Sequence, residues 1–279
     1  MKKKGFTNIL LIFVFLLGPS LLLYPTVSDY WNSLHQSRVV SQYAEEVANL
    51  DNEVYDKIIE EAREYNRAIL NRERYFEMSE ETVAAYNSAL NVSDTGVMGY
   101  IEIPKIDCSL AIYHGVEEKV LQIAVGHVDW TSLPIGGEST HAVLSGHRGL
   151  PSAKLFTNLD KLEVGDNFII RVLDETMTYE VDQILIVLPA ETEALRIEEG
   201  KDLCTLVTCT PYGINTHRLL VRGHRVENEV IAQQIRVTAD AIQIDPIIVA
   251  PLVAAPMLLV LLIILLVTTR KKKRRSTDV

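Results

Sequence analysis

Two long uncharged apolar runs, one near each end, most constrain how this chain of 279 residues can be organised. The first extends from Gly5 to Val27 behind three lysines, and the second from Ile247 to Val267 ahead of six basic residues at 270–275. A helix of about 20 apolar residues spans a bilayer core of about 30 Å. Blocks of lysine and arginine stay on the cytoplasmic side. The pattern predicts a cell-membrane protein whose residues 28–246 lie on the extracellular face.

The N-terminal segment, 1–27, is typical of a signal anchor or a signal peptide. No clear small-x-small cleavage site precedes Ser28, which favours an uncleaved anchor and leaves a cleaved signal peptide open. At the other end we predict a juxtamembrane linker at 229–246, a transmembrane helix at 247–269 and a basic cytoplasmic tail at 270–279.

The terminal tails and the middle of the chain have net charges of opposite sign. The tails carry nine basic residues and one acidic residue, whereas the whole chain has a formal net charge of −10. The segment between them therefore carries about −18, and so acidic a domain argues against a nucleic-acid partner.

Residues 28–95 are predicted to form a helical extension. Apolar residues recur at spacings of three and four between Arg38 and Leu70, which predicts one long amphipathic helix. A second helix is expected from Ser79 to Leu90, with Ser79 as its cap. We expect the extension to pack on the next domain or to space that domain from the membrane.

The pattern changes at Gly96, and residues 96–228 are predicted to be mainly β. Short β-rich runs alternate there with turn signals such as Pro134–Gly137 and Pro211–Gly213. Many short strands at this spacing are typical of a closed barrel or a sandwich.

The chain has three cysteines, an odd number, so at least one thiol stays free on a side of the membrane where disulfides are usual. In the predicted strand Leu203–Cys209, alternation places Cys204 and Cys209 on opposite faces. We interpret Cys204 and Cys108 as small buried hydrophobes. Cys209 ends its strand before a Pro-Tyr-Gly turn, where its thiol can meet a substrate, and it is the candidate nucleophile.

A strong thiol nucleophile needs an adjacent base or a depressed pKa. If the strands form a hairpin, Arg218 lies beside Cys209, where it would stabilise a thiolate or an oxyanion or would simply be a surface charge. The base is one of seven histidines. His147, between glycines after an apolar strand, and His127 both fit, and spacing leaves the choice open. No Cys or His pair has metal-ligand spacing, so we expect no metal or cofactor.

Three segments resemble the sortase family, and they follow the family's order. Residues 205–209, Thr-Leu-Val-Thr-Cys, are similar to its Thr-Leu-x-Thr-Cys signature, residues 145–149 to its catalytic histidine segment, and residues 218–223 to its arginine strand. The resemblance covers roughly residues 96–226 and implies a sortase-like closed β-barrel. It also implies that Cys209 is the nucleophile, His147 the acid/base and Arg218 the transition-state stabiliser.

Helices before the barrel and a second membrane segment after it resemble class C, the pilus-assembling sortases. That resemblance implies a cysteine transpeptidase that cleaves an LPXTG-like sorting signal through a thioacyl intermediate and joins pilin subunits through a lysine amine. The alternatives are a sortase that attaches surface proteins to cell-wall peptidoglycan and a non-enzymatic membrane scaffold. Class C enzymes commonly carry an Asp-Pro-aromatic lid before the barrel. Because no such triplet occurs between Leu90 and Tyr100, we expect an open Cys209 thiol.

Overall fold

The structure, a computed structural model, describes residues 2–70, 78–92 and 95–228. One compact unit of this part of the chain ends at Ser28, and another begins at Asp29. Among the described residues, no helix combines the length and the apolar character needed to cross a membrane. The predicted linker 229–246, transmembrane helix 247–269 and tail 270–279 lie outside the described residues.

Eight strands of the described chain close into a barrel, which confirms the mainly β prediction and selects a barrel over a sandwich. They are β1 (Val97–Ile103), β2 (Cys108–His114), β3 (Val125–His127), β4 (Thr140–Ser145), β5 (Asn167–Val172), β6 (Glu175–Val187), β7 (Asp202–Thr210) and β8 (His217–Val226). Their order around the barrel is β1-β2-β3-β4-β7-β8-β6-β5, and β5 closes on β1. The β2–β3 and β4–β7 pairs are parallel. The position of β7 between β4 and β8 decides where the site forms.

The interior of the barrel is apolar, as the alternation of its strands requires. Met98, Ile101, Phe168, Leu206 and Val221 are all completely buried and belong to one hydrophobic core. Burying a side chain of this size contributes about 1.5–3 kcal/mol. The alternate side chains of each strand therefore point to the outer face of the barrel.

The α-helices of the described residues are α1 (Lys2–Ala48), α2 (Asn52–Leu70), α3 (Glu80–Ser88) and α4 (Glu118–Leu121). The prediction of one helix through 38–70 is wrong, because the chain leaves the helix between α1 and α2. There the N–H groups of Asn49 and Leu50 bond to carbonyls three residues back, at 3.2 and 3.1 Å. Ser79 caps α3 as predicted, since its Oγ accepts from the N–H of Thr82 at 3.2 Å.

Polar side chains attach these helices to the barrel by completing its backbone hydrogen bonds. Tyr43 of α1 donates to the carbonyl of Met98 at 2.9 Å and accepts from the N–H of Leu173 at 2.8 Å. Asn66 of α2 accepts from the N–H of Leu133 at 2.7 Å and donates to its carbonyl at 3.2 Å. Of the two roles expected for the extension, packing on the barrel is the one that the structure shows.

Candidate active site

Cys209 lies near the end of β7, on the face turned away from the main core. Cys204 and Leu206 of the same strand are completely buried, whereas Cys209, of opposite parity, remains partly exposed. Burial raises the pKa of the Cys204 thiol well above its ordinary value and that of the Cys108 thiol to about 12. Both thiols are therefore held in the unreactive protonated form. Cys209 is the cysteine placed to react.

Arg218 stands directly opposite Cys209, because β8 returns beside β7 with these two residues in register. This is the hairpin arrangement expected from the sequence. Opposed residues of antiparallel strands present their side chains on the same face. Nη1 of Arg218 donates to the carbonyls of Asn215 and His217 at 3.3 and 3.1 Å, which holds the guanidinium at the turn between the strands. A permanent positive charge thus lies next to the strand position of the thiol.

His147 follows β4, the strand on the other side of β7. The parallel register pairs Ser145 with Val207, so each partner lies two residues before His147 and Cys209 respectively. Past the end of β4, the N–H of Gly146 still bonds to the carbonyl of Val207 at 3.0 Å. Continued by two residues, this register would bring His147 next to Cys209. The thiol then has a candidate base on one side and a guanidinium on the other.

The loop that carries His147 is fixed by its contact with Phe156. A Cβ on Gly146 would lie only 2.7 Å from the Phe156 ring, so glycine is required at this close approach. The N–H of Phe156 donates to the carbonyl of His147 at 3.1 Å. Sequence spacing could not reveal this contact, because the two residues meet across a loop.

His127, the competing histidine, is completely buried at the end of β3. Its Nδ1 lies 3.1 Å from the hydroxyl of Tyr86, and its Nε2 lies 2.8 Å from the carbonyl of Ser132. Burial lowers the pKa of His127 to about 3, which keeps the ring neutral. With both nitrogens engaged and no access to solvent, His127 supports the fold and is not placed to serve a substrate.

An apolar patch adjoins Cys209 on the outer face of the barrel. Val207 precedes Cys209 by two residues on β7, and Leu220 follows Arg218 by two residues on β8, so all four share one face. The patch consists of buried Val143, Leu195 and Leu220, with partly buried Val128, Trp130, Leu185, Val187, Ala194 and Val207 packed around them. Its partly buried members are the ones that solvent reaches beside the site.

Comparison with known proteins assigns this arrangement to a family. A family model described as the sortase domain matches residues 101–226. Sortase D of Bacillus subtilis (strain 168) is 32% identical over 149 residues, which make up 52% of this chain and 72% of that protein. The chain belongs to the sortase family. Sortases are cysteine transpeptidases, so the chain is an enzyme of this type.

Several solved structures of class C sortases are similar to this chain. Sortase C1 from Streptococcus agalactiae is 54% identical, with a TM-score of 0.67 over 68% of this chain and 99% of that chain. The sortase C of Clostridium perfringens, solved with the C-terminal cell wall sorting motif, is 42% identical, with a TM-score of 0.61 over 68% of this chain and 99% of that chain. The predicted class C resemblance is confirmed. Ser93 and Asp94, in the linker where we expected no lid, lie outside the described residues, so the lid expectation stays a prediction.

Two charged residues of the sortase site were missed by sequence reasoning. Arg148, only 10% exposed, donates to Asp160 at 2.5 Å and to the hydroxyl of Thr210 at 3.3 Å, and thereby joins the His147 loop to the end of β7. Glu118 of α4 places its Oε2 3.5 Å from Nε2 of His147. The only sequence signal was the position of Arg148 next to a candidate histidine. Glu118 reaches the site solely through tertiary structure.

Proposed function

We propose that this sortase is a membrane-bound, pilus-assembling transpeptidase with Cys209 as nucleophile, His147 as acid/base and Arg218 as oxyanion stabiliser. Two observations support the proposal: Cys209 pairs with Arg218 across β7 and β8, and the β4–β7 register ends two residues before His147 and Cys209, beside the apolar patch. The substrate would be an LPXTG-like sorting signal, and one of the similar solved structures contains a C-terminal cell wall sorting motif.

The first half-reaction forms a thioacyl enzyme. The Cys209 thiolate attacks the carbonyl carbon of the threonine in the sorting signal, and the electron pair of the C=O bond moves onto oxygen. Arg218 has N–H donors on Nε and Nη2 besides the Nη1 group that holds the turn, and these would stabilise that oxyanion. When the C–N bond to glycine breaks, the His147 imidazolium gives its proton to the leaving amine.

The second half-reaction transfers the acyl group to a lysine amine of the next pilin subunit. The amine attacks the thioester, His147 takes the proton that the amine loses, and the C–S bond breaks to restore the thiolate. Because the intermediate is a covalent thioester, the two half-reactions exchange one amide bond for another without ATP, provided that the amine outcompetes water. Leucine and proline of the sorting signal would rest on the apolar patch.

Ligation by the full chain tests the proposal directly. Incubation with a pilin that carries an LPXTG-like signal should yield SDS-resistant ladders and an isopeptide bond that mass spectrometry locates on a lysine. Cys209→Ala should abolish the ladders, and Cys108→Ala, which removes a partly buried thiol that packs against the core, is the matched control. Products on a peptidoglycan cross-bridge amine instead of a pilin lysine would favour the cell-wall alternative. Full activity of Cys209→Ala would refute the mechanism.

We also propose that the terminal apolar segments, 1–27 and 247–269, hold the barrel at the extracellular face of the cell membrane. Their support is the pair of basic blocks at residues 2–4 and 270–275. Protease added to intact protoplasts should digest residues 28–246 and leave an epitope on the 270–279 tail protected. Digestion of that epitope on sealed protoplasts would contradict the orientation.

A further inference from the structure

Nε2 of His147 faces a carboxylate that has no assigned role. This nitrogen is buried and makes no hydrogen bond within the described chain. Its charged neighbour is Oε2 of Glu118, at 3.5 Å, which is an ion-pair distance and longer than an ordinary N–H···O hydrogen bond. Because Nε2 points toward Glu118, Nδ1 is the ring nitrogen left to exchange a proton with the thiol and the substrate.

The position of the Glu118 carboxylate is itself controlled. Glu118 lies at the start of α4, which is anchored by the buried side chain of Val120. One carboxylate oxygen, Oε1, accepts a hydrogen bond from the side chain of Gln122, one turn later, while Oε2 faces His147. The pKa of Glu118 is lowered, first by the Gln122 hydrogen bond and then by His147, so the group is ionised at neutral pH.

We infer that Glu118 is a positioning residue that orients the His147 ring and stabilises its imidazolium form. This inference rests on the proposed role of His147. When Cys209 transfers its proton to Nδ1, the ring becomes positive and Nε2–H faces the carboxylate, so the thiolate–imidazolium pair gains a favourable interaction. Charged or titratable groups on nearby elements of the described chain include Cys209 on β7, Arg218 opposite it on β8, and Arg148, which follows His147 and is paired with Asp160.

The expected effect is modest, because the Glu118 side chain is 69% exposed and solvent screens the interaction. Glu118→Gln should lower ligation at neutral pH about threefold, because the imidazolium loses the carboxylate that faces it. The basic limb of the ligation pH profile should move to lower pH, because the substitution removes a negative charge that favours the positive ring. Glu118→Asp keeps the charge. It should restore part of the ligation rate and bring the basic limb part of the way back toward its wild-type position.

Glu117→Gln is the matched control, since Glu117 is the exposed neighbour of Glu118 and lacks its ion pair with His147. The assay uses the full chain, with rate and pH profile measured on the same samples. A Glu118→Gln variant with an unmoved basic limb, whatever its rate, would overturn the inference, because a merely structural role predicts that result. Undiminished ligation by His147→Ala would instead refute the proposed function, so the two failures are distinguishable.

Discussion

At the scale of single residues, the three thiols of this sortase differ because strand alternation and burial place them in different surroundings. Desolvation keeps Cys204 and Cys108 protonated, whereas Cys209 meets solvent at the end of β7. Iodoacetamide at pH 8 should therefore alkylate Cys209 at least about tenfold faster than either of the other two. Peptide mapping by mass spectrometry measures all three in one sample. Equal labelling of Cys209 and Cys108 in folded protein would contradict the open thiol.

Substitution of the two candidate histidines should have different effects, on activity at His147 and on stability at His127. His147→Ala should lower ligation on the order of a hundredfold with little change in the urea unfolding midpoint. His127→Ala should instead lower the free energy of unfolding by about 1–3 kcal/mol, because it leaves the buried Ser132 carbonyl without the ring nitrogen that bonds to it. Activity and unfolding measured on both variants give the ranking. If His127→Ala lost more ligation activity than His147→Ala, the role of base would belong to His127.

At the scale of elements, the sequence could reveal strands and motifs but not the contacts between them. Seven strands show enough alternation to be predicted, whereas β3, with only Val125–His127, is too short to show a period. The break between α1 and α2 was hidden because the apolar spacing continues across Asn49–Asp51. Cys209, His147 and Arg218 could be found because each lies in a local motif. Glu118 comes from a separate helix, so only the fold brings it to His147.

Arg148 links the loop after β4 to the end of β7. We expect this link to determine how well His147 is aligned with Cys209. Its guanidinium contacts Asp160 and Thr210 and lies 5.9 Å from the centre of the Tyr212 ring. Arg148→Lys keeps the charge but cannot make these contacts together, so we expect ligation to fall about tenfold through kcat. Arg171→Lys, which alters an arginine paired with Glu102 on the β1–β5 side of the barrel, is the control. A wild-type kcat in Arg148→Lys would show that these Arg148 contacts are not needed to align His147.

The Tyr43 hydroxyl should contribute to the attachment of α1 to the barrel. Tyr43→Phe leaves the Met98 carbonyl and the Leu173 N–H buried without their partner, and we expect a loss of about 1–3 kcal/mol in unfolding free energy. Tyr30→Phe is the control on the same helix, because Tyr30 is 63% exposed. Urea denaturation followed by circular dichroism gives both values. Equal stability of the two variants would mean that the Tyr43 contacts do not secure α1.

At the scale of the whole molecule, buried neutral histidines tie global stability to pH. Burial lowers the pKa of His127 to about 3, and it also lowers the pKa of His141, whose ring nitrogens contact the hydroxyl of Thr205 and the carbonyl of Arg196. An unfolded chain protonates histidine near pH 6.5. Between pH 6.5 and pH 3 the unfolded state therefore binds more protons than the folded state, and the stability of the fold decreases as the pH falls.

His127 alone should account for a loss of about 2 kcal/mol in unfolding free energy between pH 7 and pH 5, since each pH unit below 6.5 contributes about 1.4 kcal/mol. His127→Gln should be less stable at pH 7, because the amide fits the network less well, but its stability should fall less toward pH 5. Urea titrations at both pH values measure the difference for the wild type and the variant. His35→Gln removes an exposed imidazole and is the matched control. If His127→Gln lost as much stability between pH 7 and pH 5 as the wild type, the acid sensitivity would have to come from other groups, such as His141.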